Sequence, residues 1–140
     1  LVNGPNLGTL GVRRPEIYGR KTLGDVQAEV SALAASADWE CLCFQSNHEG
    51  ELIDFLERHA KASAMVLNPG ALMVAGWALR DALESFAAPW IEVHISNVWS
   101  RESFRHASVL SSLAAGVVAG LGTDGYLVAS QILLTRGKRQ

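Results

Sequence analysis

The residues best suited to chemistry lie between Trp90 and Arg105, in the run WIEVHISNVWSRESFR. Val, Ile and Trp dominate its start, which predicts a buried strand interrupted only at Glu92 and His94. Side chains alternate along a strand, so Glu92 and His94 share one face while Ile91, Val93 and Ile95 take the other. Core strands rarely carry a carboxylate and an imidazole together unless the two are paired or needed. A histidine backed by a carboxylate is a general acid or base near neutrality, although strand neighbours on one face need a twist or a bridging contact to touch. Ser96, Asn97, Arg101 and Arg105 follow where a parallel strand would end, which is where open α/β sheets place their ligands. The bland alternative is a salt-bridged strand end followed by an ordinary helix cap.

Other parts of the chain supply matching chemistry. A tyrosine such as Tyr18 becomes a base when a positive charge favours its phenolate over a phenol of pKa about 10, and Arg13 and Arg14 lie close by. Asn6 or Asn68 could hold a water or an oxyanion. Ser96, the backbone amides beside it and Arg105 could receive a carboxylate. A phenolate base, an imidazolium acid and an oxyanion holder together describe elimination of water next to a carbonyl. The rival, a Ser–His–Asp hydrolase, lacks a G-x-S-x-G elbow. Gly120, Gly122 and Gly125 match G-x-G-x-x-G, but the match opens the final helix rather than the first βαβ unit, so nucleotide binding is rejected and tight helix–strand packing preferred. A G-x-x-x-x-G-K-[ST] loop is also missing.

These residues need a scaffold that brings them to one edge. Leu1–Val2 predicts the tail of a strand, and the leading Leu implies residues upstream. Asn3–Gly11 is turn-rich and leads into a decorated segment without secondary-structure signal. Thr22 and Asp25 predict a helix start, with Val26, Val30 and Leu33 as its apolar stripe. Trp39–Phe44 predicts a second strand, and Ser46-Asn47-His48-Glu49 a capping box opening a helix to Ala60. Met65–Leu67 predicts a third strand, then a helix with Leu79, Leu83 and Phe86 inward until Pro89. After the central strand come a helix from about Ser103 to Ala115, a fifth strand over Val117–Leu121, and a last helix from Thr123 or Asp124 through Ile132. Such alternation is the pattern of an α/β protein, a five-stranded parallel sheet covered on both faces by helices.

At 140 residues and 15.0 kDa the chain is one domain, 1–140, able to bury a core without disulfides. A net charge of -2 with 19% charged residues excludes an electrostatic case for nucleic acid. Arg136, Lys138 and Arg139 read as a solvated tail. Cys41 and Cys43 would share one side of a strand as buried thiols, not a bridge. Few cysteines and histidines argue against structural zinc. No segment is apolar enough to span a membrane, and a cytoplasmic location follows by default.

NGPNLGTLG with Arg13, Pro15 and Tyr18-Gly19, FQSNHEGELID, LNPGA, ALRDAL, IEVHISN with Arg101-Glu102 and Phe104-Arg105-His106, and GLGTDGY together resemble type II 3-dehydroquinate dehydratase over essentially the whole chain. The resemblance implies a flavodoxin-like three-layer sandwich and a dodecamer built from trimers, with neither metal nor organic cofactor. It implies a small-molecule carboxylate or β-hydroxy ketone substrate that loses water through an enolate. Carried onto this chain, Tyr18 takes the C2 proton, Arg13 keeps that tyrosine ionised, and Asn6 holds the water that stabilises the enolate. His94, oriented by Glu92, protonates the departing hydroxyl. Asn68, Ile95 and Ser96 bind the carboxylate and a nearby hydroxyl, Arg105 binds ring hydroxyls, and Asp81 reaches a neighbouring subunit's site. One segment departs from the family: Met73-Val74-Ala75-Gly76-Trp77 replaces a THTS-like stretch, and Val74 stands where a histidine would bond ring hydroxyls. An unpaired buried hydroxyl there would cost about 1–3 kcal/mol. Three readings compete: an ordinary 3-dehydroquinate dehydratase, a paralogue acting on a less hydroxylated carbonyl substrate, and a non-enzymatic binding protein.

Overall fold

The computed structural model describes residues 1–137, folded around a five-stranded parallel sheet of order β2-β1-β3-β4-β5. The strands are β1 (Val2–Asn3), β2 (Phe44–Gln45), β3 (Met65–Asn68), β4 (Trp90–His94) and β5 (Gly116–Ala119). The helices are α1 (Pro15–Tyr18), α2 (Leu23–Ala35), α3 (Glu49–Arg58), α4 (Leu72–Ala75), α5 (Trp77–Glu84) and α6 (Asp124–Gly137). Strand alternation sorts the core in two. Val66, Ile91 and Val93 pack with α2 and α6 through Val26, Val30, Tyr126 and Leu133. Val2, Met65, Leu67 and Trp90 pack with α3 and α5 through Leu52, Leu56, Leu79 and Leu83. The flavodoxin-like α/β sandwich expected from the sequence is therefore present.

Local chemistry explains the boundaries. Thr22 Oγ1 accepts from the Asp25 N–H while the Asp25 carboxylate accepts from the Thr22 N–H, a reciprocal cap that starts α2 where predicted. Gly125 opens α6 because a Cβ there would meet Val118 Cγ1 at 3.3 Å. Of the rejected motif, Gly125 alone fits the expected helix–strand packing; Gly120 and Gly122 serve positive-φ turns, Gly122 with open space around it. Gly4 is equally constrained, since a Cβ would come within 2.5 Å of the Pro69 carbonyl oxygen.

Five local expectations need correction. The second strand is confined to Phe44–Gln45; Trp39–Cys43 runs beside the sheet without strand pairing. Cys43 is exposed and Cys41 half-buried rather than both being interior. Their sulfurs lie 3.8 Å apart, and the contact with Cys43 brings the Cys41 thiol down to about 6. Ser46 and Glu49 form no reciprocal cap: Ser46 Oγ accepts the His48 N–H and donates to Glu51, while Glu49 Oε1 accepts the Leu79 N–H at 2.9 Å. The helix after Gly70 is two pieces, broken at Gly76. Pro15, placed at a helix start where its missing N–H costs nothing, turns the decorated segment before Tyr18 into α1.

The largest departure is the crossover from β4 to β5. In place of a helix over Ser103–Ala115 it holds short 3-10 turns at Val98–Ser100, Ser103–Arg105 and Ser111–Leu113. Serines drive this: Ser108 Oγ accepts the Leu110 and Ser111 N–H groups, competing with helical bonding.

Candidate active site

The carboxyl ends of β1, β3 and β4 deliver Asn6, Asn68 and His94 to one cleft of about 100 Å³. The loop after β1 adds Arg13 and Tyr18, and the turn after β4 adds Ile95, Ser96, Arg101 and Arg105. Leu7, Leu10, Met73 and Val98 supply an apolar wall. A larger cavity of about 500 Å³ opens beside the starts of β1 and β3, but none of these candidate residues reaches it.

Behind the cleft, Glu92 and His94 touch directly. Their Oε1–Nε2 distance is 2.6 Å, with the carboxylate fully buried and the imidazole nearly so. The sheet's twist thus supplies the approach that an ideal strand would deny. Glu92 Oε2 accepts the Ser111 hydroxyl at 2.6 Å. Burial works to raise the Glu92 pKa, but the bonds from His94 and Ser111 outweigh it and hold the group below the usual carboxylate range. An anionic Glu92 orients the ring so that its other nitrogen, Nδ1, is available to a ligand.

Two arginines flank the tyrosine, Arg13 as expected and Arg101 in addition. Arg101 Nη1 donates to Tyr18 Oη at 2.8 Å and to Ser96 Oγ at 3.2 Å, while Arg13 stands over the Tyr18 ring with Cζ 5.9 Å from its centre. Arg101 was visible in the polar run after His94, yet nothing in its spacing tied it to a residue 83 positions earlier. Arg105 bonds Glu102 at 2.9 Å and lies over Phe104. Asn6 adopts a left-handed backbone, φ 70°, with its N–H given to Asn47 Oδ1.

Asn68 is held from beneath. Its Nδ2 donates to Tyr126 Oη at 2.7 Å, and Tyr126 Oη donates to Asn3 Oδ1 at 2.7 Å. Burial pushes the Tyr126 phenol well above its ordinary range, so it stays neutral and keeps donating. Besides Glu92 behind the cleft, two sequence candidates lie off its lining: Val74, half-buried on α4, and Asp81, exposed on α5. The residue that α4 presents to the cleft is Met73, which is 4% exposed. Among the described residues no group of three or more His, Cys, Asp or Glu side chains is placed to hold a metal ion.

The family model described as dehydroquinase class II matches residues 1–134. The chain belongs to the class II dehydroquinases. As a member of that family it is a hydro-lyase. Among relatives, it is 56% identical over 130 residues to catabolic 3-dehydroquinase 2 of Aspergillus flavus, covering 92% of this chain and 87% of the relative. It is 45% identical to the 3-dehydroquinate dehydratase of Bacillus subtilis, covering 97% of this chain and 93% of that one. The crystal structure of type II dehydroquinase from Propionibacterium acnes superposes with a TM-score of 0.91 at 40% identity, covering 96% of this chain and 93% of that chain. A 3-dehydroquinate dehydratase-like protein from Bifidobacterium longum shares the fold, with a TM-score of 0.72 at 23% identity.

Proposed function

We propose that this class II dehydroquinase dehydrates 3-dehydroquinate, with Tyr18 as base and His94 as acid. The observation that carries the reading is one cleft holding both a tyrosine hydroxyl under a guanidinium, at 2.8 Å, and a histidine bonded to a buried carboxylate, at 2.6 Å. Tyr18 removes the proton on C2, and the electron pair moves onto the neighbouring carbonyl oxygen as an enolate. Asn6 positions a water against that oxygen. The enolate then collapses, the C1 hydroxyl leaves with the proton from His94 as water, and the enone forms. Arg13 and Arg101 supply positive charge beside Tyr18, which favours its anionic form before the proton moves. Asn68, Ile95 and Ser96 receive the substrate carboxylate and a hydroxyl, and Arg105 the ring hydroxyls. Asp81, exposed on α5, fits a role toward a neighbouring subunit in a dodecamer built from trimers. The setting is the cytoplasm; among the described residues no helix is long and apolar enough to cross a membrane.

Met73 supports a second reading, in which the substrate is a less hydroxylated β-hydroxy ketone. With Leu7, Leu10 and Val98 it makes an apolar wall, and Val74 on the same helix offers no hydrogen bond. One assay decides between them. Purified protein mixed with 3-dehydroquinate produces the enone absorbance of 3-dehydroshikimate, and Tyr18→Phe abolishes that signal while the circular dichroism stays unchanged. Feeble turnover by well-folded wild-type protein moves the assignment to the apolar substrate; near-normal turnover by Tyr18→Phe removes the tyrosine from the role of base.

A further inference from the structure

The histidine–carboxylate pair has a third member, contributed by the helix-free crossover between β4 and β5. Glu92 spends one carboxylate oxygen on His94 Nε2 and the other on Ser111 Oγ, each at 2.6 Å, with the carboxylate wholly buried. Ser111 is itself fixed. Its N–H, like that of Leu110, is given to Ser108 Oγ, and Arg80 of α5 reaches across to the Val109 carbonyl and to Ser112 Oγ. A hydroxyl locked in this way can only donate to Glu92 as long as Glu92 is an anion or keeps that oxygen unprotonated.

We propose that Ser111 is a positioning residue that keeps Glu92 ionised, and thereby keeps His94 supplied with the proton it delivers. This rests on the reading of His94 as the acid. The other charged and titratable groups around the pair are Tyr18, Arg13, Arg101 and Arg105 on the cleft side. On the helical side are Arg80, committed to the crossover and to Glu84, and Glu49, committed to the Leu79 N–H. None of these donates to the oxygen that Ser111 holds; the Ser108 hydroxyl also favours the Glu92 anion, but less than His94 and Ser111 do.

The consequence has a sign. A donor to the carboxylate stabilises its charged form, so removing it raises the pH at which Glu92 takes a proton. Below that pH the imidazolium loses its partner.

The test is Ser111→Ala, read by the pH profile of kcat/KM for 3-dehydroquinate and by the protonated-carboxyl infrared band assigned through Glu92→Gln. The acid limb and the band both move up by about one to two pH units. Ser111→Thr restores the wild-type profile. A uniform loss of rate at all pH values, with the band unmoved, overturns the proposal as a structural effect. A shifted band with an unshifted rate profile upholds Ser111 as the group that sets Glu92 and removes His94 from the role of acid. Should Ser111→Ala fail to fold, Ser111→Cys, a weaker donor, shows the same shift at smaller size; an unmoved band in that variant overturns the proposal equally.

Discussion

Replacing Tyr126 with Phe removes one oxygen from beneath the cleft and leaves the ring in place. That oxygen accepts from Asn68 Nδ2 and donates to Asn3 Oδ1, both at 2.7 Å, among residues from which water is excluded. Asn3 Nδ2 already lacks a partner, so the variant orphans the whole Asn3 carboxamide together with one Asn68 donor. Each buried polar group left unpaired costs about 1–3 kcal/mol, partly offset because Phe is easier to bury than a phenol, so the net loss is roughly 2–4 kcal/mol. For a chain of this size a loss of about 1 kcal/mol lowers Tm by roughly 3–5 °C, which puts the expected fall at about 6–20 °C. Asn68 also lines the cleft, and although its Oδ1 keeps the Gly70 N–H, its Nδ2 loses its anchor, which weakens the carboxylate binding proposed for it. KM therefore rises more than kcat falls. Scanning calorimetry on the assembled protein and initial-rate kinetics check both halves. A Tm within about 2 °C of wild type, with KM unchanged, would refute the claim that this triad holds the floor of the site.

Arg101→Met keeps the length of the side chain but removes the donor to Tyr18 and Ser96; kcat/KM falls roughly ten- to hundredfold, the value of a charge-assisted hydrogen bond, with the fold intact by circular dichroism. Glu92 is held below its ordinary pKa of 4.5, so its ionisation stabilises the fold above that value and the contribution is lost as pH falls through the lower, folded value. Denaturant titrations from pH 6 downward therefore show the gap between wild type and Glu92→Gln closing only below about 4.5. Gly4→Ala drives a methyl into the Pro69 carbonyl, and urea unfolding shows a loss of about 1–3 kcal/mol.

What the sequence made legible follows periodicity and chain-local chemistry. The alternation of β4 placed Glu92 and His94 on one face, and Thr22 with Asp25 located the start of α2 to the residue. What stayed hidden depended on partners distant in sequence. Arg101 meets Tyr18, Ser111 meets Glu92 and Tyr126 meets Asn3 only because strand order brings them together. The crossover after β4 carried enough apolar residues to resemble a helix, yet its serines satisfy the backbone in tight turns. Trp39–Cys43 was rich in β-forming residues, and its Leu42 carbonyl accepts from the Leu1 nitrogen just ahead of the paired residues Phe44–Gln45.

The crossover from β4 to β5 has a cost on the face of the sheet that carries Glu92. Each of the other crossovers lays an α-helix across a face, whereas this one is spent on Ser96, Arg101, Arg105 and Ser111. Val117 of β5 stands beside Glu92 in register, on the face that helix would have roofed, and it is 42% exposed. The sandwich therefore has its full thickness over four strands and thins over the fifth, where the crossover gives Val109, Leu110 and Leu113 to the core but no helix to cover the edge.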